Sequence, residues 1–145
     1  MQAFLCTYRP RSINAKRTDR YQARIREAFS TYCTVEELID TPIYGIVYYF
    51  HNQPNQLDAD NLSKPIWDAL EGIAYQDDLI IQLRHAGVIN LQKTDLTIFD
   101  LSSVPDLVAN DMIEFAGTKD HILYIEFGHL ESEMFTFGHT ATEDR

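Results

Sequence analysis

The alternation of apolar and polar positions along the chain predicts a protein of strands and helices. Residues 18–32 place apolar side chains at three- and four-residue spacing, which is typical of an amphipathic helix. Short apolar and aromatic runs predict β-strands at residues 2–8, 43–51, 79–83, 88–91 and 121–127. The run at residues 43–51 is apolar almost throughout, which indicates a strand that is buried on both faces.

A second helix is predicted from Ser63 to Ala74. Pro65 is compatible only with the first turn of a helix, so the helix must begin near Ser63. The apolar stripe of this helix consists of Ile66, Trp67, Leu70 and Ile73.

The chain shows no repeat, low-complexity tract or break in composition, so one domain is expected over residues 1–130. The predicted fold class is α+β, with a mixed β-sheet packed against two main helices. Residues 95–118 read as an acidic insertion with a short helix that ends before Gly117. Residues 131–145 are polar and without periodicity, which predicts a flexible C-terminal tail.

Composition adds little to this picture. The 145 residues are 45% apolar and 23% charged, which are ordinary globular values. No apolar run approaches the roughly 18 residues of a membrane span, and arginine follows the first strand too closely for a signal peptide, so a cytoplasmic protein is expected. Cys6 and Cys33 lack the spacing of a zinc pair and are interpreted as reduced core residues.

Charge is distributed unevenly along the chain. Residues 1–26 hold seven of the twelve basic residues and one acid, a net charge of +6, whereas residues 27–145 have a net charge of −16. The basic segment is either a solvated helix face or an arm that contacts phosphates. In the second interpretation the phosphate contacts are Arg9, Arg11, Lys16, Arg17, Arg20 and Arg24.

Carboxylates cluster around the second predicted helix. In an extended backbone, Asp58 and Asp60 project to one side, and Asp77 and Asp78 follow the far end of the helix. A strand that begins at Asp78 and returns alongside would bring these acids together. Converging carboxylates repel one another unless a cation neutralises them, and oxygen ligands favour Mg²⁺ or Mn²⁺.

Lys64 strengthens the case for a reactive site. It lies in the first turn of its helix, where the macrodipole disfavours a cation, and it precedes Asp68 in the weaker orientation for an i,i+4 pair. A lysine beside a carboxylate-bound metal is suited to holding phosphate charge. The alternative is a solvated Lys64–Asp68 pair, with Asp58 and Asp60 as loop and helix-capping residues.

These residues form a combined motif, Asp58-x-Asp60-Asn61-x-x-Lys64-x-x-x-Asp68-Ala-Leu followed by Asp77-Asp78. The motif resembles that of the RusA family of Holliday-junction resolvases. The upstream Pro10-x-Ser12-x-Asn14 also fits the turn that follows the first strand in that family.

The resemblance implies a small homodimeric, Mg²⁺-dependent endonuclease that cuts four-way DNA junctions in recombination and repair. By position, Asp58, Asp60 and Asp78 take the place of the family's catalytic metal-binding carboxylates, and Lys64 takes that of its essential lysine. Asp77 adjoins them as an additional candidate ligand, and Asn14 joins the basic residues as a candidate DNA contact.

Two features depart from the family, namely the acidic insertion and the strongly negative overall charge. They leave open a catalytically inactive module that binds branched DNA or a basic protein partner. No glycine-rich phosphate loop is present, so no nucleotide cofactor is expected. The five histidines show no recognisable zinc-ligand spacing, which disfavours a zinc site.

Overall fold

The computed structural model describes residues 1–11, 18–54 and 57–139. The strands are β1 (Gln2–Cys6), β2 (Ile43–His51), β3 (Ile81–Asn90) and β4 (His121–His129). The helices are α1 (Thr18–Tyr32), α2 (Ala59–Leu62), α3 (Lys64–Leu70) and α4 (Asp106–Thr118). None of these helices is both long enough and apolar enough to cross a membrane.

The four strands form one mixed sheet in the order β1-β4-β2-β3. Strand β4 runs antiparallel to both of its neighbours, whereas β2 and β3 are parallel. A parallel pair requires a crossover connection, which α2 and α3 provide. The predicted α+β class and mixed sheet are therefore confirmed, and β3 lies at an edge of the sheet.

Both faces of the sheet are covered by helices. Alternate residues of β4 point to opposite faces, so Leu123 and Ile125 pack into the core with α1 and α3, whereas Ile122 and Tyr124 pack into the core with α4. The sheet is thus the middle layer between two helical layers. The nearly continuous apolar character of β2, noted in the sequence, follows from this burial on both faces.

The second predicted helix is shorter than its apolar stripe indicated. Helix α3 ends at Leu70, because Glu71 adopts an extended conformation with ψ 132°. Gly72 follows with a φ of 85°, a conformation that favours glycine, and its N–H donates to the carbonyl of Tyr75 at 2.7 Å. The apolar Ile73 therefore belongs to a turn.

The third and fourth predicted strands are one strand. Strand β3 runs without interruption from Ile81 to Asn90, whereas Leu79 belongs to a 3-10 turn at Asp78–Ile80. The interpretation of residues 79–83 and 88–91 as separate strands was wrong. The interruption in apolar character arises because an edge strand exposes much of its surface.

The segment predicted as an insertion supplies the second helical layer. Helix α4 contacts β1 and β4, with Val108 and Met112 buried at the contact. It ends at Thr118 and not before Gly117. Both cysteines are buried and free, as predicted.

One close approach fixes α3 on the sheet. The ring of Trp67 lies directly over Gly45 of β2, where an added Cβ would fall 2.5 Å from Trp67 Cζ2. Only glycine permits this approach, since every other residue would displace the ring. The contact sets the height of α3, and hence of Lys64 at its start, above the central strands.

Candidate active site

Asp58 and Asp60 lie at the start of α2. Asp58 has an extended backbone with φ −89° and ψ 165°, and its Oδ1 accepts hydrogen bonds from the backbone N–H of Asn61 at 3.0 Å and from its side-chain amide at 3.1 Å. Asp60 is helical, so the extended backbone predicted for both residues holds for Asp58 alone. The capping role that the sequence left open for Asp58 is present.

Lys64 is the first residue of α3, as Pro65 predicted. Its Nζ lies 2.9 Å from Asp68 Oδ1, which is the expected i,i+4 pair. The same ammonium also donates to Asp78 Oδ2 at 2.8 Å. Lys64 therefore joins the two ends of the sequence motif, and the pKa of Lys64 is raised, first by the hydrogen bond to Asp78 and then by that to Asp68.

Asp78 is the one buried carboxylate among the described residues, with 7% exposure. Its backbone N–H donates to Glu71 Oε1 at 3.1 Å, and its carbonyl accepts from Arg84 Nη2 at 2.9 Å. Burial acts to raise the pKa of Asp78, but the hydrogen bond and charge of Lys64, together with the charge of Arg84, outweigh it. The pKa therefore lies below the usual aspartate value.

Three carboxylates converge beside Lys64. Ligand oxygens of Asp68, Glu71 and Asp78 all lie within 4.8 Å of one another, and over the described ranges no other set of three His, Cys, Asp or Glu ligand atoms is as close. The predicted set of Asp58, Asp60 and Asp78 does not form such a group. Asp77, whose Oδ1 accepts from the N–H of Leu79 at 2.9 Å, also lies outside it.

The donor set suits a hard divalent cation. Carboxylate oxygens are the ligands that Mg²⁺ and Mn²⁺ prefer, and three of them meet at one place. Helix α2, which carries Asp60, contacts β3, the strand that continues from Asp78. Helix α2 and the strand that follows the Asp78 turn are therefore neighbours in the fold.

Comparison with known proteins decides the family. The family described as endodeoxyribonuclease RusA matches residues 7–98, which is more than half of the chain. The chain belongs to the RusA family. A search of curated proteins finds no match. The match contains the whole motif from Asp58 to Asp78, so the resemblance noted in the sequence is confirmed, and the RusA family is one of endodeoxyribonucleases.

The RusA match also includes residues 7–26, which contain all the basic residues of the basic segment. Asn14, Lys16 and Arg17 lie outside the described residues. The four other predicted contacts are Arg9, Arg20 and Arg24, which are exposed, and Arg11, which is partly buried. Helix α1 lies against α3, where Gln22 Nε2 donates to the carbonyl of Pro65 at 3.0 Å. The basic helix is therefore a direct neighbour of the helix that carries Lys64.

The sequence reasoning missed Glu71 and Arg84 at this RusA site, and it treated Asp68 only as part of the motif and as the i,i+4 partner of Lys64. Asp68 and Glu71 follow Lys64 at spacings of four and seven, which would place them on one face of the predicted helix, and that spacing could have indicated them. No sequence spacing indicates Arg84, because its contact with Asp78 depends on the 3-10 turn at Asp78–Ile80. A turn of this kind has no periodicity to read.

Proposed function

We propose that this protein is a Mg²⁺-dependent endonuclease that cuts four-way DNA junctions as a homodimer in recombination and repair. The observation that supports this most is the contact between Lys64 and Asp78, at 2.8 Å, inside the segment that matches the RusA family. It joins a cation suited to phosphate with a buried acid suited to a metal.

The acidic residues would hold the cation. Asp58, Asp60 and Asp78 are the proposed ligands, with Asp77 as an additional candidate and with Asp68 and Glu71 close to Asp78. A bound Mg²⁺, or Mn²⁺ in its place, supplies a water of lowered pKa and neutralises the charge that develops on the leaving oxygen.

Lys64 would contact the scissile phosphate. Its side chain is 45% exposed, and its ammonium pairs with Asp68 and Asp78. A fixed positive charge at this place stabilises the additional negative charge of the pentacovalent transition state more than that of the ground state. This role explains a lysine in the first turn of a helix, where the macrodipole disfavours it.

The basic segment would position the DNA. Arginine and lysine contacts to phosphates orient a duplex without reading its bases, and α1 presents Arg20 and Arg24 to solvent beside the site helix. The remaining proposed contacts are Arg9, Arg11, Asn14, Lys16 and Arg17. Symmetric cutting of a junction requires two sites related by a twofold axis, which a homodimer provides.

The test is incubation of a synthetic four-way junction with the protein in Mg²⁺ and, separately, in EDTA. We expect paired nicks only in Mg²⁺. Asp58→Asn and Asp60→Asn should abolish cutting while junction binding is retained, because each removes a proposed ligand but no positive charge.

The matched control is Asp106→Asn, an exposed acid in the first turn of α4, which should cut as the unaltered protein does. Cutting at the normal rate by Asp58→Asn would contradict the ligand assignment. A gel shift without nicks in Mg²⁺ would favour the catalytically inactive binding module instead.

A further inference from the structure

Arg84 reaches from the edge strand β3 back to the turn that carries Asp78. Its Nη2 donates to the carbonyl of Asp78 at 2.9 Å and lies 3.3 Å from Asp78 Oδ2. Its Nε donates to the carbonyl of Ile81 at 3.4 Å. One guanidinium therefore contacts the main chain of Asp78 in the turn, the main chain of Ile81 at the start of β3, and the carboxylate of Asp78.

The contacts to the Asp78 carboxylate fall on one oxygen. Lys64 Nζ and Arg84 Nη2 both approach Oδ2, at 2.8 and 3.3 Å. Within the described part of the chain, no hydrogen bond or ion pair is recorded for Oδ1. One oxygen is thus held by two cations, and the second is left to receive a ligand.

The backbone of Asp78 is held on its other side as well. Its N–H donates to Glu71 Oε1 at 3.1 Å, and the Leu79 N–H donates to Asp77 Oδ1 at 2.9 Å. The N–H and the carbonyl of Asp78 are both bonded to side chains. The backbone from which its carboxylate extends is therefore held in place. Arg84 is the group that bonds both the carbonyl and the carboxylate.

We propose that Arg84 is a positioning residue, which holds the carbonyl and Oδ2 of Asp78 so that Oδ1 is presented to the divalent cation. This inference rests on the proposed function. Hydrogen bonds behind a ligating carboxylate typically change metal affinity by about 10- to 100-fold. The role rests on the contacts that Arg84 makes with the turn and with the Asp78 carboxylate.

Two effects of Arg84 on a cation oppose each other, so the sign of the result is informative. The orientation of Asp78 favours metal binding, whereas the positive charge of Arg84 repels a metal ion. If orientation dominates, removing the guanidinium weakens metal binding. If repulsion dominates, removing it strengthens metal binding.

The experiment is a Mn²⁺ titration of the full chain without DNA, with free Mn²⁺ followed by electron paramagnetic resonance. For Arg84→Gln we expect about tenfold weaker binding. Arg84→Lys keeps the charge but lacks the fork in which Nη2 contacts Asp78 while Nε donates to Ile81, so it should also bind Mn²⁺ more weakly. Gln82→Ala, an exposed position on the same strand, is the matched control and should be unchanged.

Cutting assays provide a second measurement. The Mg²⁺ concentration for half-maximal cutting should rise about tenfold in Arg84→Gln, while the rate at saturating Mg²⁺ stays within about twofold. A general loss of structure would lower the rate at every Mg²⁺ concentration. Circular dichroism and a urea transition establish that each variant is folded.

Three results would overturn the inference, namely equal or tighter Mn²⁺ binding by Arg84→Gln, full affinity in Arg84→Lys, or a loss of rate at saturating Mg²⁺. Failure of the unaltered chain to bind Mn²⁺ would contradict the proposed function and this inference together. Normal cutting and Mn²⁺ binding by the unaltered chain, with equal affinity in Arg84→Gln, would contradict this inference alone.

Discussion

Two stretches of the chain are rich in acids, and they use them differently. Residues 58–78 bring Asp68 and Asp78 into ion pairs with Lys64, and Asp78 also pairs with Arg84. In residues 95–114, Asp95 and Asp100 serve local structure, whereas Asp111 Oδ2 accepts a hydrogen bond from the hydroxyl of Tyr32 at 2.6 Å. Asp95 Oδ1 and Asp100 Oδ1 each accept a backbone N–H two residues on, both at 2.9 Å.

The difference lies in convergence. In the described part of the chain, no ion pair is recorded for Asp95 or Asp100, and each bonds within its own turn. Asp78, by contrast, is buried and forms ion pairs with Lys64 of α3 and Arg84 of β3. A count of acids therefore does not identify a site, whereas a buried acid with cations from two distant elements does.

The largest expected effect concerns the lysines of the two stretches. Lys64→Ala should lower junction cutting by about 10²- to 10³-fold, since it removes a charge that stabilises the transition state. Lys93→Ala, at an exposed turn that leads into the acidic stretch, should change the rate by less than about twofold. Single-turnover cutting at saturating Mg²⁺ is the measurement, and similar losses in both variants would contradict the assignment.

The stability of the protein should respond with opposite signs to alanine at Gly45 of β2 and at Gly117 of α4. Gly45→Ala places a Cβ 2.5 Å from Trp67 Cζ2, so we expect a loss of about 1–3 kcal/mol in the free energy of unfolding. Gly117→Ala meets no atom within 4 Å and lies near the end of α4, so a gain of about 0.5 kcal/mol is expected.

Urea denaturation measures both glycine variants. The position of α3 over Gly45 would be wrong if Gly45→Ala were as stable as the unaltered protein. Gly45→Ala should in addition weaken cutting, because the displaced ring belongs to the helix that begins at Lys64.

An effect smaller than that of Gly45→Ala concerns stability in acid. The pKa of Asp78 is lowered in the folded protein, so its ionised form adds stability above the unfolded pKa of about 4. That stability is lost as the pH falls through the folded pKa. Asp78→Asn should therefore lose less stability than the unaltered protein between pH 5 and pH 2.5, by about 1 kcal/mol.

Asp100→Asn is the matched variant in the acidic stretch. The pKa of Asp100 is also lowered, by hydrogen bonds from the Ser102 side chain and backbone. Because Asp100 is exposed, the stability of Asp100→Asn should depend on pH much as that of the unaltered protein does. Urea transitions in EDTA at several pH values test both. Parallel acid curves for Asp78→Asn and the unaltered protein would show that Asp78 contributes nothing.

Most of the fold could be predicted from the sequence, because periodicity reports burial. The helix at Thr18–Tyr32 and the strand at Ile43–His51 have the predicted bounds, since each buries a regular set of apolar side chains. The helix end at Leu70 could not be predicted, because the apolar spacing continues to Ile73 while Gly72 turns the backbone away. Backbone geometry overrode the side-chain pattern there.

The site could be predicted in part. The motif identified Lys64 and Asp78, and the structure brings these two into contact. The assignment of Asp58, Asp60, Asp77 and Asp78 as metal ligands, and of Lys64 as the catalytic lysine, stays a prediction. The contribution of Arg84 could not be read from the sequence, because it depends on how the 3-10 turn directs β3 back past Asp78.

The contact between Trp67 and Gly45 gives the protein an optical reporter of its own. Trp67 is the single tryptophan of the chain, its side chain is fully buried, and it lies one turn after Lys64. Its fluorescence therefore needs no label and has one source. Any movement of α3 away from the sheet would expose the Trp67 indole to water and shift its fluorescence emission to longer wavelength.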